Sequence, residues 1–134
     1  MPVIDASVYL AVINTHEPGH ARAAAWFNYA IASQTPLHAP VIVLSEVAGP
    51  LSRGLGGVKR AHQAIQQLVS SPLISLTPIS LPLAQRAAEI AADYRLRGCD
   101  AVYVALAEQL GDELVTLDQE QLQRGGAVVT TRQP

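Results

Sequence analysis

Four short runs of this sequence, PVI (2–4), LISLT (73–77), ELVTL (113–117) and GAVVTT (126–131), are nearly unbroken in apolar and β-branched residues. None of them alternates polar with apolar. A strand with one face in water alternates; a strand covered on both faces reads as a continuous run, the pattern of a parallel sheet. Parallel strands need crossover connections, and the segments between these runs supply helices. EPGHARAAAWFNYAIAS is Ala-rich and reads as helix from about Pro18. VKRAHQAIQQLV places Val58, Ala61, Ile65 and Leu68 on one stripe at helical spacing. In SLPLAQRAAEIAADYRLRG, Ser80 is a cap, Pro82 sits in the first turn, Leu83, Ala87, Ile90 and Tyr94 share a face, and Gly98 is the stop signal. DAVYVALAEQLG is apolar nearly all round, which predicts a helix sandwiched between layers. APVIVLSEVAGPL reads as a helix opening at Pro40, with Val41, Leu44, Ala48 and Leu51 on one face, although its VIVL also suits a strand. Alternating strands and helices predict a single α/β layered domain over residues 1–134.

Composition narrows the function. Hydrophobic residues make up 49% and charged ones 15%, which describes a chain with a well-filled interior rather than a disordered one. The net charge is −2, and one Trp, four Tyr and one Phe provide few stacking platforms. Bulk electrostatics therefore exclude general adhesion to nucleic acid, and any such function must come from a local site. MPVIDAS lacks the basic and apolar regions of a signal peptide, and no uncharged run reaches membrane-spanning length. The single cysteine, Cys99, cannot form an internal disulfide. Together these features predict a soluble, cytoplasmic protein with no membrane association.

The acidic residues carry the chemistry. Parallel strands end at one edge of their sheet, and ligands bind in the crevice there. Asp5 follows the first run and Asp118 follows ELVTL, so both reach that edge. Crossover helices begin at the same edge, which brings Asp100 there as well. Glu46, about six residues into its helix, lies roughly 9 Å along the axis. Taken singly, Asp5 and Asp100 are good N-caps, Asp118 suits a turn, and Glu46 suits a solvated helix face. Taken together, four converging carboxylates repel unless something neutralises them, and oxygen ligands without a His or Cys cluster favour Mg²⁺ or Mn²⁺.

VIDASVYLAV, VIVLSEVAGPLSRG, YRLRGCDAVYVALAEQLG and ELVTLDQEQLQRGGAVVT resemble the PIN-domain family, in particular VapC-like toxins of bacterial toxin–antitoxin pairs. The resemblance runs essentially end to end and is most specific in LRGCDAVYVALAEQL followed by LVTLD. It implies a three-layer α/β/α domain with a central, mostly parallel sheet. It further implies a metal-dependent endoribonuclease that uses Mg²⁺ (or Mn²⁺), an RNA substrate, a cognate antitoxin and a homodimer. The matching motifs carry over Asp5, Glu46, Asp100 and Asp118 as the catalytic acids. Asp5, Asp100 and Asp118 are the metal ligands among them, with Ser7 and Thr116 as supporting hydroxyls. The alternative is a non-catalytic binding module for RNA or protein, against which four intact acids argue. Pro50 departs from the motif and predicts a kink beside Glu46. Arg53, Arg95 and Arg97 are candidate phosphate contacts or ordinary surface charge.

Other motifs are incomplete. GLGG (54–57) follows a helix rather than a strand and reads as a helix stop and linker, not a phosphate loop. A receiver-type domain would need a late-strand lysine, and the only lysine is Lys59. Ser7 replaces the second acid of a DxD dehalogenase-like motif. His16, His20, His38 and His62 have no ligand spacing with Cys99 and read as surface or capping residues. Cys99 itself lacks a catalytic partner and reads as a small packing residue.

Overall fold

The computed structural model describes residues 1–54 and 56–134; Leu55, inside the GLGG stretch, lies outside the described residues. Along the chain run β1 (Val3–Ile4), α1 (Ala6–Ile13), α2 (His20–Ala32), β2 (Leu37–Pro40), α3 (Val43–Arg53) and α4 (Gly57–Ser70). They are followed by β3 (Ile74–Thr77), α5 (Leu81–Tyr94), α6 (Gly98–Leu110), β4 (Leu114–Val115), α7 (Gln119–Arg124), a 3₁₀ turn (Gly125–Ala127) and β5 (Thr131–Arg132). The sheet order is β3-β2-β1-β4-β5, with every neighbouring pair parallel. Strand order reverses between β1 and β4, so the crevice of such a sheet opens beyond Ile4 and Val115.

Short strands suffice because both faces are covered. Val3, Ile4, Leu114 and Val115 are fully buried. Leu114 joins the main core, whereas Val115 packs with Val8, Ala11 and Ala23 of α1 and α2. Adjacent strand residues thus serve opposite faces, as the pleat requires. The sandwiched helix is as expected: α6 buries Ala101, Tyr103, Val104, Ala105, Leu106 and Ala107, lying against β1, β2, β4 and α5. Among the described residues no helix is long and apolar enough to cross a membrane.

Several boundaries differ from expectation. Pro40 closes strand β2 rather than opening a helix. Val3 pairs with His38, so β1 ends before it draws level with Pro40, and the missing N–H breaks no ladder bond there. The buried face of α3 is consequently Val43, Val47 and Leu51 rather than Val41, Leu44, Ala48 and Leu51. Pro50 lies inside α3, which nevertheless continues to Arg53. In α4 the buried residues are Ala61, Ala64 and Leu68, and Val58 is exposed. Helix α5 is capped by Ser80, whose Oγ accepts the Leu83 N–H, but Gly98 does not end it. Arg95 does, in the left-handed region (φ 57°), followed by buried Leu96 whose N–H closes on the Ala91 carbonyl. The apolar anchor stabilises a conformation usually left to glycine, and Gly98 instead opens α6. GAVVTT yields a 3₁₀ turn first and a strand only at Thr131–Arg132.

Candidate functional site

Asp5 leaves the end of β1 and caps α1. Its N–H donates to the Val115 carbonyl, and its Oδ2 accepts the Ser7 N–H at 3.2 Å. The cap reading and the edge reading are therefore both satisfied by one carboxylate. Only 5% of the residue is exposed. Burial raises its pKa despite hydrogen bonds from Ser7, Gln121 and Thr116, because removing a carboxylate from water disfavours its charged form.

Asp100 is not the cap of α6. That position belongs to Arg97, and Asp100 is the third helical residue, still within the turn where the helix dipole favours an anion. Asp100 is 7% exposed, and burial raises its pKa while Arg97 opposes the rise. Asp118 leaves β4 and caps α7, its Oδ1 accepting the Gln121 N–H at 2.9 Å.

Two side chains join these three acids. Arg97 donates from Nε to Asp100 Oδ2 at 2.9 Å and from Nη2 to Asp118 Oδ2 at 3.2 Å. Gln121 is fully buried, and its Nε2 lies 3.4 Å from Asp5 Oδ1 and 3.3 Å from Asp100 Oδ1. Asp118 and Gln121 have the spacing of a capping box, in which the second side chain reaches back to the cap's own N–H. Here Thr116 Oγ1 accepts that N–H at 3.0 Å, leaving the Gln121 amide free to turn inward. Ser7 Oγ accepts the Leu117 N–H at 3.1 Å and lies 3.5 Å from Thr116 Oγ1, so both expected hydroxyls border the acids.

Glu46 stands apart from this network. It sits in the first turn of α3, nearer the helix start than expected because that helix begins at Val43. Burial raises its pKa first, and the charges of Asp5 and Asp100 raise it further. Its Oε1 and the hydroxyl of fully buried Tyr103 both lack hydrogen-bond partners. The two groups are still close enough for Tyr103 to oppose the rise on Glu46. From sequence, Tyr103 reads only as part of an apolar helix. Of the three candidate arginines, only Arg97 bonds to the acids; Arg53 ends α3, and Arg95 ends α5, its backbone carbonyl accepting from Arg124.

As the side chains stand, no three His, Cys, Asp or Glu groups among the described residues gather closely enough to hold a metal ion. Arg97 and Gln121 span the carboxylates instead. The donor set nonetheless suits a hard divalent cation: two buried carboxylates, a third at the rim, and orphaned Glu46 and Tyr103 oxygens beside them. An apolar hollow of about 490 Å³ between Phe27, Pro36 and Leu73 lies at the amino ends of β2 and β3, away from the acids.

Cys99 corrects an expectation. It is exposed rather than packed, because Gly98 opens α6 and leaves the first turn at the rim. Although the residue is exposed, partial desolvation of its sulfur and the charges of Glu46 and Asp100 raise the thiol's pKa, which makes it a poor nucleophile at neutral pH. Cys99→Ala is expected to retain wild-type stability and RNA cleavage, measured by thermal melt and nuclease assay. Loss of cleavage in the folded variant would implicate the thiol.

The family model for the PIN domain matches residues 3–127. The chain belongs to the PIN domain family. Its acids at the β1–β4 switch point are thus described on a PIN fold. Similar solved structures include VapC20 of Mycobacterium tuberculosis, a Sarcin-Ricin loop cleaving toxin, with TM-score 0.81, 19% identity and 100% of both chains covered. FitAcB from Neisseria gonorrhoeae aligns with TM-score 0.72 and 21% identity over 98% of this PIN domain and 96% of that chain. DNA-bound VapBC from Salmonella typhimurium gives 0.71 and 16% over 99% and 98%. At these identities the likeness is one of fold. No curated protein matches the sequence.

Proposed function

We propose that this PIN domain is a metal-dependent endoribonuclease and the toxin of a toxin–antitoxin pair. The observation that carries the proposal is the joining of Asp5, Asp100 and Asp118 through Arg97 and Gln121 at the sheet's switch point. Asp5, Asp100 and Asp118 would hold Mg²⁺ or Mn²⁺, with Glu46 as the fourth catalytic acid. The cation supplies charge stabilisation at the scissile phosphate and a more acidic bound water. Asp5 is held by its cap on α1 and Asp100 by burial in the first turn of α6, so their oxygens are oriented before any ligand arrives. Glu46, with its raised pKa, is suited to orient a water and take its proton. Arg97, whose side chain is 71% exposed, is the group able to leave the carboxylates and meet an RNA phosphate.

The VapC and VapBC structures support a toxin reading by fold, and a cognate antitoxin, a homodimer and a cytoplasmic setting come with it as parts of the proposal. A binding module that cuts nothing is the competing reading, favoured by the lack of a ready three-acid cluster among the described residues. Such a module has no use for two buried carboxylates whose ionisation burial opposes. Purified protein is expected to cut structured RNA in Mg²⁺ or Mn²⁺ and to stop on addition of EDTA. Expression alone is expected to arrest bacterial growth, relieved by the co-expressed antitoxin. Cleavage that survives EDTA would overturn the metal-dependent reading. No cleavage in either metal would favour the binding module. Harmless expression of an active nuclease would remove the toxin role alone.

A further inference from the structure

Gln121 is the only buried residue of α7, and its amide lies between two hydrogen-bonding demands that a single orientation does not meet. Its Nε2 faces Asp5 Oδ1 and Asp100 Oδ1 at 3.4 and 3.3 Å, long distances for hydrogen bonds to carboxylates. Its Oε1 lies 2.6 Å from Thr116 Oγ1. The Thr116 hydroxyl has one proton. While that proton goes to Gln121, Asp5 Oδ2 at 3.3 Å faces a lone pair.

A half-turn of the amide about its last torsion exchanges two nearly isosteric ends and changes this balance. The nitrogen then donates to Thr116, and the Thr116 proton is released to Asp5 Oδ2. Thr116 still accepts the Asp118 N–H, so its donor and both lone pairs are used. The amide oxygen now faces Asp5 and Asp100. Without a cation that orientation sets a lone pair against two carboxylates and the Asp100 carbonyl, which also lies 3.4 Å from that end of the amide. With one, it adds a neutral hard oxygen to the ligand set.

We propose that Gln121 is a cation-responsive metal ligand. Its nitrogen bridges Asp5 and Asp100 in the metal-free protein, and its carbonyl oxygen joins the ion when Mg²⁺ or Mn²⁺ binds. The inference rests on the metal-site reading above and adds a residue to it. It also opposes a simpler role, in which Gln121 only holds the empty site together. The two roles predict opposite signs for Gln121→Met, which keeps the volume and removes both amide ends. A lost ligand weakens the metal; a lost competitor strengthens it.

Calorimetric titration of wild type and Gln121→Met with Mn²⁺ decides between them. Wild type is expected to bind, and the variant to bind at least about tenfold more weakly. Equal or tighter binding by the variant would overturn the inference and leave the carboxylate site intact. Failure of wild type itself to bind Mn²⁺ would overturn both. Because a residue that only orients the carboxylates would also weaken metal binding when lost, ¹³C spectra of the wild-type Gln121 side-chain carbonyl during an Mg²⁺ titration separate that role from ligation, and they serve alone should Gln121→Met not fold. A downfield shift saturating with the metal is expected. A carbonyl that does not move at saturation would overturn the inference.

Discussion

Asp5→Asn is expected to fold as wild type does and to lose RNA cleavage by at least about 10²-fold, the scale of losing a charge that stabilises the reacting phosphate. The two halves of this expectation have separate origins. Asn caps helices about as well as Asp, so α1 keeps its start and the Ser7 N–H keeps an acceptor. Burial already opposes the Asp5 charge, so a neutral residue removes a cost at pH 7. The new amide nitrogen can be met by the Gln121 oxygen without moving α7. Cleavage is different, because a neutral amide cannot replace the charge of the carboxylate in the proposed ligand role. Thermal melts and single-turnover assays in millimolar Mg²⁺ separate the two effects. Undiminished cleavage would remove Asp5 from the chemistry, and an unfolded variant would show that its charge is structural.

The legible parts of this protein were those that local sequence determines. Asp5 and Asp118 follow unbroken apolar runs, and strand ends deliver them wherever the loops go. Ser80 and Pro82 start α5 through purely local bonds. Unbroken runs also announced the parallel sheet, since both faces of β1 and β4 are covered. Strand β2 was not legible because LHAP includes a histidine and a proline, and its pairing with β1 and β3 is wholly tertiary. Gln121 was hidden among Gln119, Glu120 and Gln123 in a polar stretch. Its capping-box spacing from Asp118 was a visible signal, but only the docking of α7 turns its side chain toward Asp5 and Asp100. Tyr103 carried no signal beyond its apolar helix, and its nearness to Glu46 of α3 is wholly tertiary. Cys99 offers no sequence signal for its exposure, which follows from its place in the first turn of α6.

Asp100→Asn is expected to be at least as stable as wild type without metal and to lose most of the stabilisation that metal confers. The metal-free half follows from the raised pKa of Asp100. A carboxyl whose folded pKa lies above its unfolded value weakens the fold as pH rises past 3.8 and through the raised value, so at pH 7 the ionised group is a net cost. Against this stands the ion pair with Arg97 at 2.9 Å, but that arginine is 71% exposed, and such pairs contribute about 0–1 kcal/mol. Burial therefore outweighs the pair. The cap argument no longer applies, since Arg97 holds the cap position and Asn at the third helical position disturbs no capping bond. With metal, binding to the folded state adds RT ln(1 + [metal]/Kd), about 2.7 kcal/mol at a hundred times Kd. For a domain of this size that corresponds to roughly 10 °C in Tm. Wild type is expected to show a shift of that order between EDTA and saturating Mg²⁺, and Asp100→Asn only a small fraction of it. Equal shifts in the two proteins would return Asp100 to a structural role and leave Asp5 and Asp118 as the remaining proposed ligands. The opposite metal-free result, a clear loss of stability in Asp100→Asn, would show that the Arg97 bridge, rather than burial, dominates the empty site.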